Sequence, residues 1–195
     1  MRLPGRGGFS GPVDWLVVGL GNPGAKYAGT RHNIGFEIAS LLASRWQLPR
    51  ARSKYAALLT EGRAGPGGPR VAVLLPQTYM NEAGRSVGPA RGAYKLPLER
   101  VLVLHDEIDL PFGEIRTRVG GGLAGHNGLK SLKADLGSAD FARVRVGVGR
   151  PNTTDPEIVS AHVLGAFREP KAEVAELVER AAAAAEAIVL GEREL

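Results

Sequence analysis

The chain has no cysteine. Disulfides, a thiolate nucleophile and cysteine-ligated zinc are therefore excluded. Long apolar runs are missing too; the longest fall far short of the roughly 18 residues that a bilayer span needs. No charged-then-apolar N-terminal signal is visible, and no GxSxG elbow to carry a catalytic serine. Histidine is scarce. His32, His105, His126 and His162 are the whole set, and none pair at metal-ligand spacing on a helix. His105 and Asp106 adjoin at a strand end, where neighbours point to opposite faces, so they do not readily serve one ion. The expectation is a cytoplasmic protein without a membrane anchor or a metal site.

The 195 residues, 44% hydrophobic and 23% charged, suit one globular domain with a sizeable core. The formal net charge of +5 leaves room for a polyanionic partner but does not require one. Residues 1–13 are rich in Gly, Pro and Arg and read as a flexible extension ahead of a domain over 14–195.

Strand-like and helix-like segments then alternate. Short strands are expected at Asp14–Gly19, Lys54–Thr60, Val71–Leu75, Val101–His105, Glu114–Arg118 and Arg143–Val148. Apolar residues at helical spacing mark helices over Asn33–Arg45, about Asn81–Tyr94, about His126–Leu136 and Pro170–Ile188. Pro151–Pro156 reads as a loop. The order argues a single α/β domain, with a twisted mixed sheet and helices packed on its faces. Sites in such sheets form at strand carboxyl ends, here after Val18, Leu75 and Leu104 and around the glycine loop before His126.

Gly19–Gly24 spells GxGxxG directly after a strand. A dinucleotide fingerprint needs its helix to open inside the glycine run and an acidic residue about 20 positions on. Pro23 interrupts the run, GAKYAGTRH delays the helix, and the stretch Ala39–Leu42 carries no acid. The glycines are read instead as allowing a tight turn. The loop's polar cargo is Asn22, Tyr27 and His32. His32 opens a helix, where the positive end of the dipole disfavours the imidazolium, so a neutral base is plausible there; a capping or structural histidine is the alternative. Asp106, at the end of a buried strand, could orient an imidazole and stabilise its protonated form, or be a solvated loop acid.

Asn22, Asn81 and Asn127 place three amides at the expected site edge, able to orient a carbonyl or water or to donate to an oxyanion. Singly, each could be a helix cap. Arg116 and Arg118 share a face of one strand, Arg143 and Arg145 of another, and Lys130 and Lys133 a face of a helix. These suggest a phosphate-binding surface against the alternative of a solvated face.

Five ordered blocks carry a resemblance: GLGNPGAKYAGTRHNIGF, PQTYMNEAG, HDEIDLPFG, GGGLAGHNGLKS and RVRVGVGRP. Together they resemble bacterial-type peptidyl-tRNA hydrolase, from Trp15 to about Phe167. The resemblance implies a monomeric α/β enzyme that needs no metal or organic cofactor and no obligate protein partner. It would cleave the ester between a peptide and the 3′-terminal ribose of tRNA, engaging the acceptor end and recycling tRNA released prematurely. His32 falls at the family's catalytic base and Asp106 at its supporting carboxylate. Asn22 falls at the residue that distinguishes N-blocked from free aminoacyl-tRNA. Tyr27, Tyr79, Asn81 and Asn127 fall at substrate-binding positions. Arg116, Arg118, Arg143 and Arg145 fall where similar proteins have basic residues for the tRNA backbone. An RNA-binding module that keeps the fold without hydrolysis is the alternative. Intact His32, Asp106 and the three asparagines argue against it.

Overall fold

The computed structural model describes residues 12–195. Most of the expected flexible extension lies outside the described residues. Seven strands form one mixed sheet in the order β2-β3-β4-β1-β5-β7-β6. They are β1 (Trp15–Gly19), β2 (Arg52–Lys54), β3 (Ala57–Arg63), β4 (Arg70–Pro76), β5 (Val101–Glu107), β6 (Ile115–Val119) and β7 (Ala142–Gly147). The four central strands β4, β1, β5 and β7 run parallel, and β2, β3 and β6 add antiparallel edges. All four parallel strands therefore end on one side of the sheet.

Alternation along each strand feeds two cores. Trp15, Val17, Leu102 and Leu104 face α1 (Ile34–Arg45) and the C-terminal helix, while Leu16, Val18, Val101 and Val103 face α2 (Gly84–Tyr94) and α3 (Asn127–Leu136). A short helix, α4 (Pro156–Val163), follows β7, and α5 (Lys171–Val189) closes the chain against α1.

Several element boundaries differ from the sequence reading. The expected strand from Lys54 is two strands around a tight turn, with Tyr55 and Ala56 both at positive φ. The expected helix at Asn81 is a 3-10 turn, Met80–Glu82, leading into α2. No periodicity announced α4, which has no buried residue. Asn33 does not cap α1 through its side chain, because that side chain is engaged elsewhere.

The glycines of the first loop serve packing more than turning. A Cβ on Gly35 would lie 2.4 Å from the Leu104 carbonyl oxygen, and one on Gly19 would lie 2.4 Å from the Gly35 carbonyl oxygen. Bare backbone at both places lets the start of α1 press against the ends of β1 and β5. Gly24, at φ 101°, is the residue of that run that needs left-handed freedom.

Candidate active site

The close approach of α1 to β5 brings His32 to Asp106. His32 sits in a 3-10 turn, Arg31–Asn33, just ahead of α1. Its Nδ1 donates to Asp106, 2.8 Å from Oδ2 and 3.0 Å from Oδ1. Asp106 is buried near the carboxyl end of β5. Its Oδ1 also lies 2.8 Å from Nε2 of His126.

The tautomer of His126 follows from its other nitrogen. Nδ1 accepts from the backbone N–H groups of Gly128 and Leu129, at 3.1 and 3.3 Å, and so caps α3. That nitrogen carries no proton, so Nε2 is the N–H that donates to Asp106. One carboxylate thus receives two imidazole donors. Burial pushes the Asp106 carboxyl up, but the electrostatic attraction and hydrogen bonds of the two imidazole N–H groups outweigh it and hold it well below the usual carboxylate range. Asp106 is ionised. With Nδ1–H of His32 committed to Asp106, Nε2 is the ring nitrogen left without that partner, on a residue that lines the cleft.

Asn22 is built in as firmly. Its backbone N–H donates to Oδ1 of Asn33 at 2.8 Å, and Nδ2 of Asn33 donates to its carbonyl at 2.9 Å. Oδ1 of Asn22 accepts from the N–H of Met80 at 2.7 Å. The amide orientation is therefore fixed, and its NH2 end is the donor offered to the cleft.

The cleft, about 530 Å³, is lined by Asn22, His32, Tyr79, Asn81, Asp106, His126 and Asn127. Lys130 and Arg150 stand at it, and Val159 and Val163 of α4, with Leu164 just after it, form an apolar wall. Arg31 ties α4 to the His32 turn: its Nη1 donates to the His162 carbonyl at 2.8 Å, and its N–H to that of Gly165 at 3.0 Å. Tyr79 is 60% exposed, an aromatic face beside the amides. Two larger grooves, along α2 and α3 and beside the β2–β3 edge, contain no histidine.

Of the expected site residues, Tyr27 is not part of the cleft lining; it lies half-buried in a separate 3-10 turn, Ala25–Tyr27. Asn127 does not cap α3; His126 does, and Asn127 is exposed as the first helical residue. Arg116 and Arg118 are exposed on β6, Lys130 and Lys133 on α3, and Arg145 is partly buried against Glu107 at 2.9 Å. Arg143 departs from expectation. Its side chain is fully buried, so it has no surface to offer a phosphate. The strand alternation was read correctly, but a glycine loop covers that part of the face.

His126 escaped the sequence reading, although its place directly before Asn127 at a helix start was a usable signal. Ligand-capable atoms of His32, Asp106 and His126 lie within 4.8 Å of one another, a donor set suited to a transition-metal ion. Binding one there would displace both N–H protons that now face Asp106.

The cleft thus brings together an imidazole held by a buried carboxylate, the fixed amide of Asn22, and the side chains of Asn81 and Asn127. The family model described as peptidyl-tRNA hydrolase matches residues 16–194. The chain belongs to the peptidyl-tRNA hydrolase family. It is 49% identical over 173 residues to the peptidyl-tRNA hydrolase of Halalkalibacterium halodurans, covering 88% of this chain and 91% of that one. It is 49% identical over 176 residues to that of Mycobacterium sp. strain KMS, covering 89% and 90%. The crystal structure of peptidyl-tRNA hydrolase from Acinetobacter baumannii superposes with a TM-score of 0.82 at 37% identity, over 94% of this chain and 93% of that one. No helix among the described residues is long and apolar enough to cross a membrane.

Proposed function

We propose that the chain hydrolyses peptidyl-tRNA at the ester joining the peptide to the 3′-terminal ribose, with His32 as general base and Asp106 as its supporting carboxylate. The observation that carries the mechanism is the His32–Asp106 pair: Nδ1–H is held at 2.8 Å by a buried carboxylate on a residue that lines the cleft, which leaves Nε2 as the base. Water loses a proton to Nε2 as its oxygen attacks the ester carbonyl. The tetrahedral oxyanion takes donors from Asn81 and its neighbours at the cleft edge. On collapse the ester C–O bond breaks, and the ribose oxygen leaves with the proton from the imidazolium. The carboxylate stabilises that imidazolium while it lasts. The steps call on no group beyond these side chains and water, and no covalent enzyme intermediate forms.

Selectivity for N-blocked substrates follows from Asn22. Its NH2 is a fixed donor suited to a peptide carbonyl next to the ester. A free aminoacyl group brings an ammonium instead, a donor meeting a donor, and the amide would lose its partner. Arg116, Arg118 and Arg145, with Lys130 and Lys133, serve as the basic surface for the tRNA backbone. The reading takes the enzyme as a cytoplasmic monomer acting at the tRNA acceptor end.

The test mixes the protein with N-acetylated and free aminoacyl-tRNA in the presence of chelator. Cleavage of the acetylated ester and little of the free one is expected. His32→Ala should lower kcat/KM about 10³-fold, or ~4 kcal/mol of barrier, and lower the melting temperature as well, because buried Asp106 loses one of its two donors. Tight tRNA binding with no turnover would favour an RNA-binding module instead, and chelator-sensitive turnover would sink the metal-free mechanism.

A further inference from the structure

Arg143 is a fully buried arginine that the mechanism above does not use. It springs from β7, and its guanidinium reaches three backbone or side-chain acceptors. Nη1 donates to the carbonyls of Gly120 and Gly122, at 3.1 and 2.8 Å. Nε donates to Nε2 of His105 at 3.1 Å. Nη2 has no hydrogen-bond partner among the described residues and lies 3.8 Å from Glu107 Oε1.

The two carbonyls belong to the loop that delivers His126 and Asn127. Gly120, Gly121, Ala124 and Gly125 all have positive φ, so the loop follows a path that no regular ladder maintains. The N–H of Gly120 bonds to Phe141 and that of His126 to Leu123. Between those bonds, Leu123 packs on the core and the guanidinium supplies hydrogen bonds from the sheet. His105 extends the connection toward the acid. Because its Nε2 accepts from Arg143, its proton lies on Nδ1, which donates to the Asp106 carbonyl at 2.8 Å. One planar cation therefore grips the loop before His126 and, through His105, the backbone of the residue that His126 faces.

We propose that Arg143 is a positioning residue for the hydrolysis: it fixes the 120–125 loop against β5 so that His126 and Asn127 meet Asp106 and the cleft in one geometry. The role rests on the proposed function for its kinetic effect, but its structural effect is independent of it. A lysine has one point charge where the fork of arginine spans several acceptors, so it cannot reproduce the grip.

The experiment compares wild type with Arg143→Lys and Arg143→Met, each checked for folding by circular dichroism and thermal melting. With N-acetylaminoacyl-tRNA, kcat should fall about 10²-fold in Arg143→Met and less in Arg143→Lys, with KM within about twofold. The salt dependence of KM should stay as in wild type, because no phosphate contact is lost. Nitrogen-15 relaxation should show residues 121–126 loosened in both variants, and the His126 Nε2–H signal should broaden. A raised KM with a flatter salt slope and unchanged kcat would overturn the proposal in favour of a phosphate contact. Lowered melting temperature with kcat and the His126 signal unchanged would overturn it in favour of bulk stability. If neither variant folds, wild type decides: the Arg143 Nε–H should exchange slowly with solvent, and rapid exchange overturns the proposal. A wild type without turnover would sink the proposed hydrolysis while leaving the relaxation and imidazole measurements to judge the loop.

Discussion

Two glycine-rich loops lead into the histidines that meet at Asp106, and they are held by opposite means. The first, Gly19–Gly24, is fixed by neutral amides close in sequence, Asn33 exchanging two hydrogen bonds with the peptide of Asn22. The second, Gly120–Gly125, is fixed by a buried cation from the next strand. Glycine serves different ends in each. In the first it mostly removes side chains from a crowded contact; in the second it permits left-handed backbone. The first loop's own hydrogen bonds need β1, α1 and their turn, and Met80 and β5 complete its seat. The second needs the sheet completed as far as β7.

Asp106 joins the two histidines that follow these loops, so Asp106→Asn should have the largest effect. An amide offers one acceptor and one donor where the carboxylate accepted from both histidines. His126 keeps its tautomer, because the two N–H groups of α3 still require Nδ1 as acceptor. His32 would then face the amide NH2 and take the wrong tautomer. A fall in kcat of about 10² to 10⁴-fold is expected, read by steady-state kinetics, with nitrogen-15 imidazole shifts showing His32 protonated at Nε2. Retention of the Nδ1–H form would refute the argument.

Asn33→Ala breaks the first loop alone. It leaves a buried N–H and C=O of Asn22 without partners, at a cost of about 1–3 kcal/mol. Denaturant unfolding should register that loss, with Tm lower by roughly 2–4 °C per kcal/mol. If Asn22 sets selectivity as proposed, the ratio of kcat/KM for acetylated over free aminoacyl-tRNA should narrow. A stability loss with that ratio intact would separate the loop from selectivity.

Acid should strike the second loop first. Burial, then His126 and Arg143, push the His105 imidazole well below its ordinary value of 6.5. The unfolded chain takes up that proton below about pH 6.5 while the folded chain does not, so stability falls as pH drops through that point. The slope is up to about 1.4 kcal/mol per pH unit for this one proton. Asp106 adds its own loss only below the ordinary carboxylate range, since its folded value is depressed. Unfolding midpoints measured between pH 7.5 and 5 should therefore decline more steeply in wild type than in His105→Gln, which keeps an acceptor for Arg143 without the titration. Equal slopes would remove His105 from the acid limb.

The sequence made the frame of this comparison legible. Alternating strands and spaced apolar residues gave the α/β order, and the strand-end rule placed Asn22, Asn81, Asp106 and Asn127 around one cleft. What stayed hidden was long-range. His126 pairs with an acid 20 positions away, and Arg143 with carbonyls 21 and 23 positions away, and no local period records such contacts. The buried state of Arg143 was unreadable for the same reason: alternation assigns a face, not what later covers it. The helix α4 left no pattern because it buries no residue.

The smallest effects belong to the basic residues that remain outside. Arg116 and Arg145 are cross-strand neighbours on β6 and β7, and Arg118 pairs in register with Arg143. The arginine pairs of one strand face thus differ only in what lies over them. Arg116 is exposed beside Glu114, and Arg145 is partly exposed while paired with Glu107. If the tRNA backbone crosses this face, Arg116→Gln should raise KM several-fold at low salt and flatten the dependence of log KM on log salt by about 0.7–0.9, the value of one phosphate contact. Its kcat should not change, because nothing in the cleft touches it. Arg145→Gln should do the same less strongly, since tRNA must compete with Glu107 for its charge. Arg143 variants should change kcat and leave the salt slope alone. A flattened slope in Arg143 variants, or an unchanged one in Arg116→Gln, would erase the distinction between an arginine that contacts the substrate and one that holds the loop beside it.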